Sequence, residues 1–205
     1  AVVSADGQTI YFSRRNTYLS ESDIWYAQQK ADFTFGAPQR LPFPINNHGS
    51  NSVIAISPDG NTLMLNNQYT RDGLPKGKGV SQAVYTKDGW SIPDDIIIHN
   101  YYNRLTSVSH TFSPDGKVLI MAVKRDDALG NLDLYISMLQ NDLSWSEPQN
   151  LGGQLNTRGQ ESGPFIAPDN QTLYFATDGL PGYGNADIFV SRRLDDTWLH
   201  WSTPQ

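Results

Sequence analysis

The chain of 205 residues carries 15 basic against 21 acidic side chains, a net charge of −6 that argues against a nucleic-acid binder. Only 38% of residues are hydrophobic, yet aromatics reach 11% and Gly and Pro number 17 and 12, the profile of a turn-rich, all-β chain. No apolar run approaches the roughly 18 residues that span a bilayer, and the absence of cysteine excludes disulfides, thiolate nucleophiles and Cys-built zinc sites.

The first residues, Ala1-Val2-Val3-Ser4, lack the basic and apolar regions of a signal peptide, so localisation cannot be read from them. The first predicted element is a corner, Ser4-Ala5-Asp6-Gly7. It has type I turn chemistry: Ser accepts at the first position, and Gly takes a place that often needs positive φ. A pleated, apolar strand follows at Thr9-Ile10-Tyr11-Phe12, then a strand opened by an acid, Asp23-Ile24-Trp25-Tyr26. Phe35-Gly36-Ala37-Pro38 closes the unit; its Pro suits only an edge strand, so this element is expected outermost.

The same order then recurs. The second corner is Ser57-Pro58-Asp59-Gly60, followed by Thr62-Leu63-Met64-Leu65, a long basic and Gly-rich loop from Tyr69 to Gly79, and Gln82-Ala83-Val84-Tyr85 in place of the acid-led strand. Trp90-Ser91-Ile92-Pro93 closes it. The third unit reads Ser113-Pro114-Asp115-Gly116, Val118-Leu119-Ile120-Met121, Asp133-Leu134-Tyr135-Ile136 and Trp145-Ser146-Glu147-Pro148. The fourth reads Ala167-Pro168-Asp169-Asn170, Thr172-Leu173-Tyr174-Phe175, Asp187-Ile188-Phe189-Val190 and Trp201-Ser202-Thr203-Pro204. The corner aspartates are spaced 53, 56 and 54 residues apart. Four short strands per roughly 54-residue unit, with no helical periodicity, describe the blade of a β-propeller. The fold class is all-β, a propeller of four-stranded antiparallel blades, with repeats at about 1–53, 54–109, 110–163 and 164–205.

Corner, aromatic strand, Asp-led strand and Trp-Ser-x-Pro edge together resemble the WD40-like Pro-Asp propeller repeat family. That family includes TolB-like propellers and envelope proteins whose repeats precede OmpA-like peptidoglycan-binding domains. The resemblance implies a non-catalytic binding or scaffolding module, periplasmic or associated with the outer membrane of a Gram-negative envelope. It also implies a protein partner there, with peptidoglycan reached through a domain not in this chain. Family members usually close with more than four blades, so these four repeats are expected to belong to a larger ring. The departures are Ala5 for Pro, Asn170 for Gly, Phe35 for Trp, and the missing Asp of the second repeat.

Asp23, Asp133 and Asp187 are the most tempting carboxylates, but an acid that opens a strand commonly caps its own loop. The same structural role is expected of Asp6, Asp59, Asp115 and Asp169. No cofactor is expected. A Ca²⁺ loop of the Asp-x-Asp-x-Asp-Gly type is missing, which leaves Ca²⁺ possible and unsupported, and His48, His99, His110 and His200 show no metal-binding spacing. His110, in an innermost strand, reads as a packed residue. The aromatics Trp25, Tyr26, Tyr135, Phe189 and Trp145 recur in register and read as blade packing.

The joints between repeats are the better candidates for ligand binding, since segments that enter innermost strands line one mouth of a propeller channel. Asn51, Ser107 and Glu161 each stand eight residues before a corner Asp and are expected at equal depth, with Arg158 and the amides Asn46, Asn47, Asn103 and Asn156 nearby. Such groups bind sugars or peptide backbone, or else satisfy backbone at the joint. A second surface is offered by the loops from Tyr69 to Gly79, Arg125 to Asn131 and Asp178 to Asn185. Two alternatives to non-catalytic protein binding stand. One is a carbohydrate-binding or carbohydrate-active propeller, suggested by Glu161, Tyr18, Tyr69 and Tyr183; the other is the propeller domain of a larger peptidase. A glycosidase needs two carboxylates, and no second acid accompanies Glu161 at its level. No Gly-x-Ser-x-Gly elbow or phosphate-binding loop is present.

Overall fold

Short-range chemistry at the corners fixes the hairpins. In the computed structural model, which describes residues 1–15 and 21–205, all four corners share one backbone bond. The Gly7 amide donates to Ser4 O at 2.8 Å, Gly60 to Ser57 O at 2.9 Å, Gly116 to Ser113 O at 2.8 Å and Asn170 to Ala167 O at 3.0 Å. The donors hold φ of 72°, 74°, 70° and 57°, the left-handed region that Gly enters freely and Asn tolerates. At the first three corners the Ser hydroxyl donates to the Asp carboxylate and accepts the amide of Thr9, Thr62 or Val118. The amide two residues after each Asp also reaches that carboxylate.

The chain divides into two units, Ala1–Ile97 and Ile98–Gln205, each with two antiparallel sheets. In the first unit, strands β1 (Val2–Val3), β2 (Thr9–Arg15), β3 (Ser22–Gln28) and β4 (Gln39–Arg40) form a sheet in chain order. The next sheet has β5 (Val53–Ile56), β6 (Thr62–Tyr69) and β7 (Pro75–Thr86) in order, with β8 (Gly89–Trp90) and β9 (Asp94–Asp95) both paired to β7. In the second unit β10 (Ser109–Phe112), β11 (Val118–Val123), β12 (Asp133–Met138) and β13 (Gln149–Asn150) form one sheet, and β14 (Glu161–Ile166), β15 (Thr172–Thr177) and β16 (Asp187–Arg192) the other. Gln205 completes that last sheet by exchanging backbone bonds of 2.9 and 3.0 Å with Val190. The chain is thus an all-β propeller built of small antiparallel blades.

Two expectations need correction. The closing element is outermost, as predicted, but Pro38, Pro93 and Pro148 stand just before the paired residues. Proline lacks the N–H a ladder needs, so pairing made at Phe35, Trp90 and Trp145 is interrupted at the proline and resumes one residue later, at Gln39, Asp94 and Gln149. The loop predicted from Tyr69 to Gly79 is largely strand: β7 starts at Pro75 and pairs with β6 through two irregularities in register. Gly79 makes the pairing possible, since a Cβ there would meet Gln68 Cγ at 2.5 Å.

Each unit has its own core. In the first, Ile24, Leu41 and Ile45 of one blade bury against Val53, Leu63, Leu65 and Ala83 of the next. In the second, Val118, Ile120, Leu134 and Ile136 bury with Ile166, Leu173, Phe175, Trp198 and Trp201. Strand β11 is buried on both faces throughout, as its uninterrupted apolar sequence Val118-Leu119-Ile120-Met121-Ala122-Val123 requires.

Candidate ligand-binding site

The acids that open third strands have local partners. Asp133 accepts the Leu129 and Gly130 amides at 2.8 and 2.9 Å and the Asn150 amide group at 3.0 Å. Asp187 accepts the amides of Tyr183 and Gly184 at 2.8 and 3.3 Å. Both tie the preceding Gly-bearing loop to the strand. Asp23 instead receives Nε and Nη2 of Arg40 at 2.8 and 2.9 Å. Its own loop, with Tyr18, lies outside the described residues.

Two of the amides at the joints go mainly to backbone, while the buried amide group of Asn47 has no partner among the described residues. Asn46 accepts the Ile24 amide at 2.7 Å and donates to Ile24 O and Leu41 O, each at 2.8 Å. Asn156 repeats this in the second unit, accepting from Leu134 N at 2.7 Å and donating to Leu134 O at 2.9 Å and Asn150 Oδ1 at 2.8 Å. Both are buried, so each amide replaces water for a strand group that the short fourth strand does not cover.

The residues expected to face a ligand divide. Asn51 and Glu161 are wholly buried, whereas Ser107 and Arg158 are exposed, so the expected equal depth does not extend to Ser107. The backbone explains the first pair: Asn51 N donates to Ser22 O at 2.6 Å and Glu161 N to Leu132 O at 2.8 Å, which pins both at the start of a third strand. Asn51 then bonds Gly49 O at 3.0 Å and the Tyr69 hydroxyl at 3.3 Å. Ser107 follows a bend at residues 104–106, and its carbonyl accepts from Asn103 at 2.9 Å. As direct ligand contacts, Asn51 and Glu161 are closed off by the fold.

Glu161 is a carboxylate held by neutral donors. It accepts Thr157 N at 3.1 Å, Thr157 Oγ1 at 2.7 Å and Thr177 Oγ1 at 2.6 Å. Burial raises its pKa above the ordinary value; those three bonds oppose the rise and the charge of Asp133 adds to it. Asp133 is no catalytic partner, since both of its oxygens are occupied as described above. His110 is buried beside Tyr101, ring centroids 6.3 Å apart, and burial lowers its pKa to about 3, so it is a neutral packed ring.

Sequence reading missed one feature. Thr9, Tyr11, Tyr26, Gln28, Tyr85 and Trp90 line a cavity of about 510 Å³ in the first unit. The signal lay in comparing repeat positions: the third and fifth residues after the corner Asp are Thr9 and Tyr11 in the first repeat but Val118 and Ile120 in the third.

A propeller with TolB-like architecture is the class this fold defines. The structure of TolB from Acinetobacter baumannii superposes with a TM-score of 0.59 at 12% identity, over 93% of this chain and 40% of that one. The chain thus spans well under half the length of that relative. Puromycin hydrolase matches at a TM-score of 0.43 and 11% identity, over 96% of this chain and 37% of its own. Prolyl oligopeptidase B from Galerina marginata matches at 0.45 and 12%, over 99% and 27% respectively. No family model and no curated protein sequence matches the chain.

Proposed function

We propose that the chain is a non-catalytic propeller module that binds a protein partner in a bacterial cell envelope, in the periplasm or at the outer membrane. One observation carries the non-catalytic reading: the acids that recur between repeats are spent on structure. Asp6, Asp59, Asp115 and Asp169 hold corners, Asp133 and Asp187 hold loops and Asp23 holds Arg40. Glu161 has neither solvent access nor a free second acid among the described residues. The fold likeness to TolB supports the envelope setting. For a protein partner we assign the loop surface of the second unit, where Leu129 and Tyr183 project into solvent from the Arg125 to Asn131 and Asp178 to Asn185 loops. Loops on a rigid scaffold are the usual place for recognition.

A photo-crosslinking amino acid placed at Tyr183 or Leu129 in cells tests this. The expected result is one protein adduct of discrete mass in the envelope fraction, absent when the crosslinker replaces exposed Phe33 on another blade. No adduct, or hydrolysis of peptide or glycan substrates abolished by Glu161→Gln, overturns the reading.

A further inference from the structure

The cavity of the first unit is walled mainly by aromatic and polar side chains, with Leu41 and Pro42 beside them. Thr9 pairs with Gln28 and Tyr11 with Tyr26 across β2 and β3, so these four side chains share a face. Tyr85 pairs with Trp90 on the next sheet, ring centroids 5.0 Å apart. Tyr11 joins the two walls, with its ring 6.2 Å from Tyr26 and 6.4 Å, edge-on, from Trp90. The Tyr26 hydroxyl donates to Gln39 Oε1 at 2.8 Å. The Thr9 hydroxyl, the Tyr11 and Tyr85 phenols, the Gln28 amide group and the Trp90 indole N–H have no hydrogen bond to any described residue, yet all border the same space. Among the described residues no acid or lysine lines it. Arg40, on its border, has its guanidinium engaged by Asp23.

The second unit is an internal control. The positions of Thr9, Tyr11, Tyr26 and Gln28 are held there by Val118, Ile120, Ile136 and Met138, and that of Trp90 by Trp201. Val118, Ile120, Ile136 and Trp201 are at most 3% exposed and form closed core. The blade architecture therefore does not call for polar aromatics here. The first unit forgoes apolar burial worth about 1.5–3 kcal/mol for each large side chain and keeps an open space bordered by aromatic and polar side chains instead.

We infer that this cavity binds a neutral glycan, with the apolar face of a pyranose ring against Tyr11, Tyr26 and Trp90 and its hydroxyls bonded to Gln28, Thr9 and the phenols. Sugar rings present C–H faces to aromatic rings and hydroxyls that both donate and accept, which amides and phenols match. An anionic ligand would meet only Arg40, already paired with Asp23, among the described lining residues, and a purely apolar one would leave five polar groups unpaired. The volume lies in the roughly 300–1,000 Å³ range of small-molecule sites and suits a short oligosaccharide. The inference stands apart from the protein partner proposed above, whose test reads loops of the other unit.

Titration calorimetry of the chain with cellohexaose, maltohexaose and chitohexaose tests it, with the double variant Tyr11→Ile/Tyr26→Ile and the single variant Gln28→Met. The double variant copies the aliphatic residues of the second unit; Gln28 is exposed, so its variant preserves the fold and keeps the test decisive if the double variant does not fold. Binding of at least one of the three, weakened about tenfold or more by either folded variant, is expected. The inference is overturned if none binds at millimolar concentration, if the variants bind as tightly as the parent, if oligogalacturonate alone binds, or if a Pro-rich peptide binds where the sugars do not.

Discussion

The fourth corner shows how one residue covers for another. Ala167 stands where the other corners have Ser, and with the hydroxyl gone Asp169 accepts the Thr172 amide itself at 2.8 Å, along with Thr172 Oγ1 at 2.6 Å. Those bonds, led by the Thr172 hydroxyl, hold its pKa below the ordinary carboxylate value. Glu161 behaves in the opposite sense. Its folded pKa is raised, so the stability it contributes is complete below its unfolded pKa and is lost as pH rises through the folded one. In thermal melts the advantage of the parent over Glu161→Gln is therefore expected to be larger near pH 4.5, where an ordinary glutamate titrates, than at neutral pH. A difference that does not vary with pH would refute this account of the buried acid. Leu143 gives a third case. It is exposed yet holds φ of 66°, a conformation that costs a residue with a Cβ roughly 1–2 kcal/mol. Leu143→Gly is expected to stabilise by up to about 1 kcal/mol, since glycine gives back part of the gain as chain entropy, and denaturant titration would detect it.

At the scale of elements, Asn46 and Asn156 act as clamps that join each fourth-strand segment to the third strand. Asn156→Ala leaves the buried N–H of Leu134 without a partner, while its C=O keeps the Leu151 amide at 3.0 Å, and is expected to cost about 1–3 kcal/mol by chemical denaturation. A loss below about 1 kcal/mol would mean that water takes over the bonds. These clamps were visible in the sequence only as an amide-rich stretch, because spacing places a residue on an element without saying what it will touch. Asn51 and Glu161 show the same limit: their register was readable, but their burial depends on backbone bonds to Ser22 and Leu132, 29 residues upstream of each. The corners were legible almost atom by atom, since every partner lies within five residues. Strand β7 was not: glycines and lysines at Lys76-Gly77-Lys78-Gly79 carry the composition of a loop, while pairing of Gly77 with Gln68 and of Pro75 with Tyr69 makes the segment strand.

Across the whole molecule the repeats are alike in backbone and unlike in filling. The second unit fills its blades with aliphatic side chains; the first leaves space among tyrosines at the same repeat positions. Local stability is expected to follow. In hydrogen exchange, amides of β11, buried at all six positions, should be among the slowest, and those at the exposed end of β2, from Ser13 to Arg15, far faster. Equal protection would show that filling does not govern opening.

The blades end in strands only two residues long, Gln39–Arg40 and Gln149–Asn150, each begun just after a proline. So short and polar a margin offers a stray chain almost no ladder to extend, which guards a sheet-rich protein against growing into fibrils by edge addition.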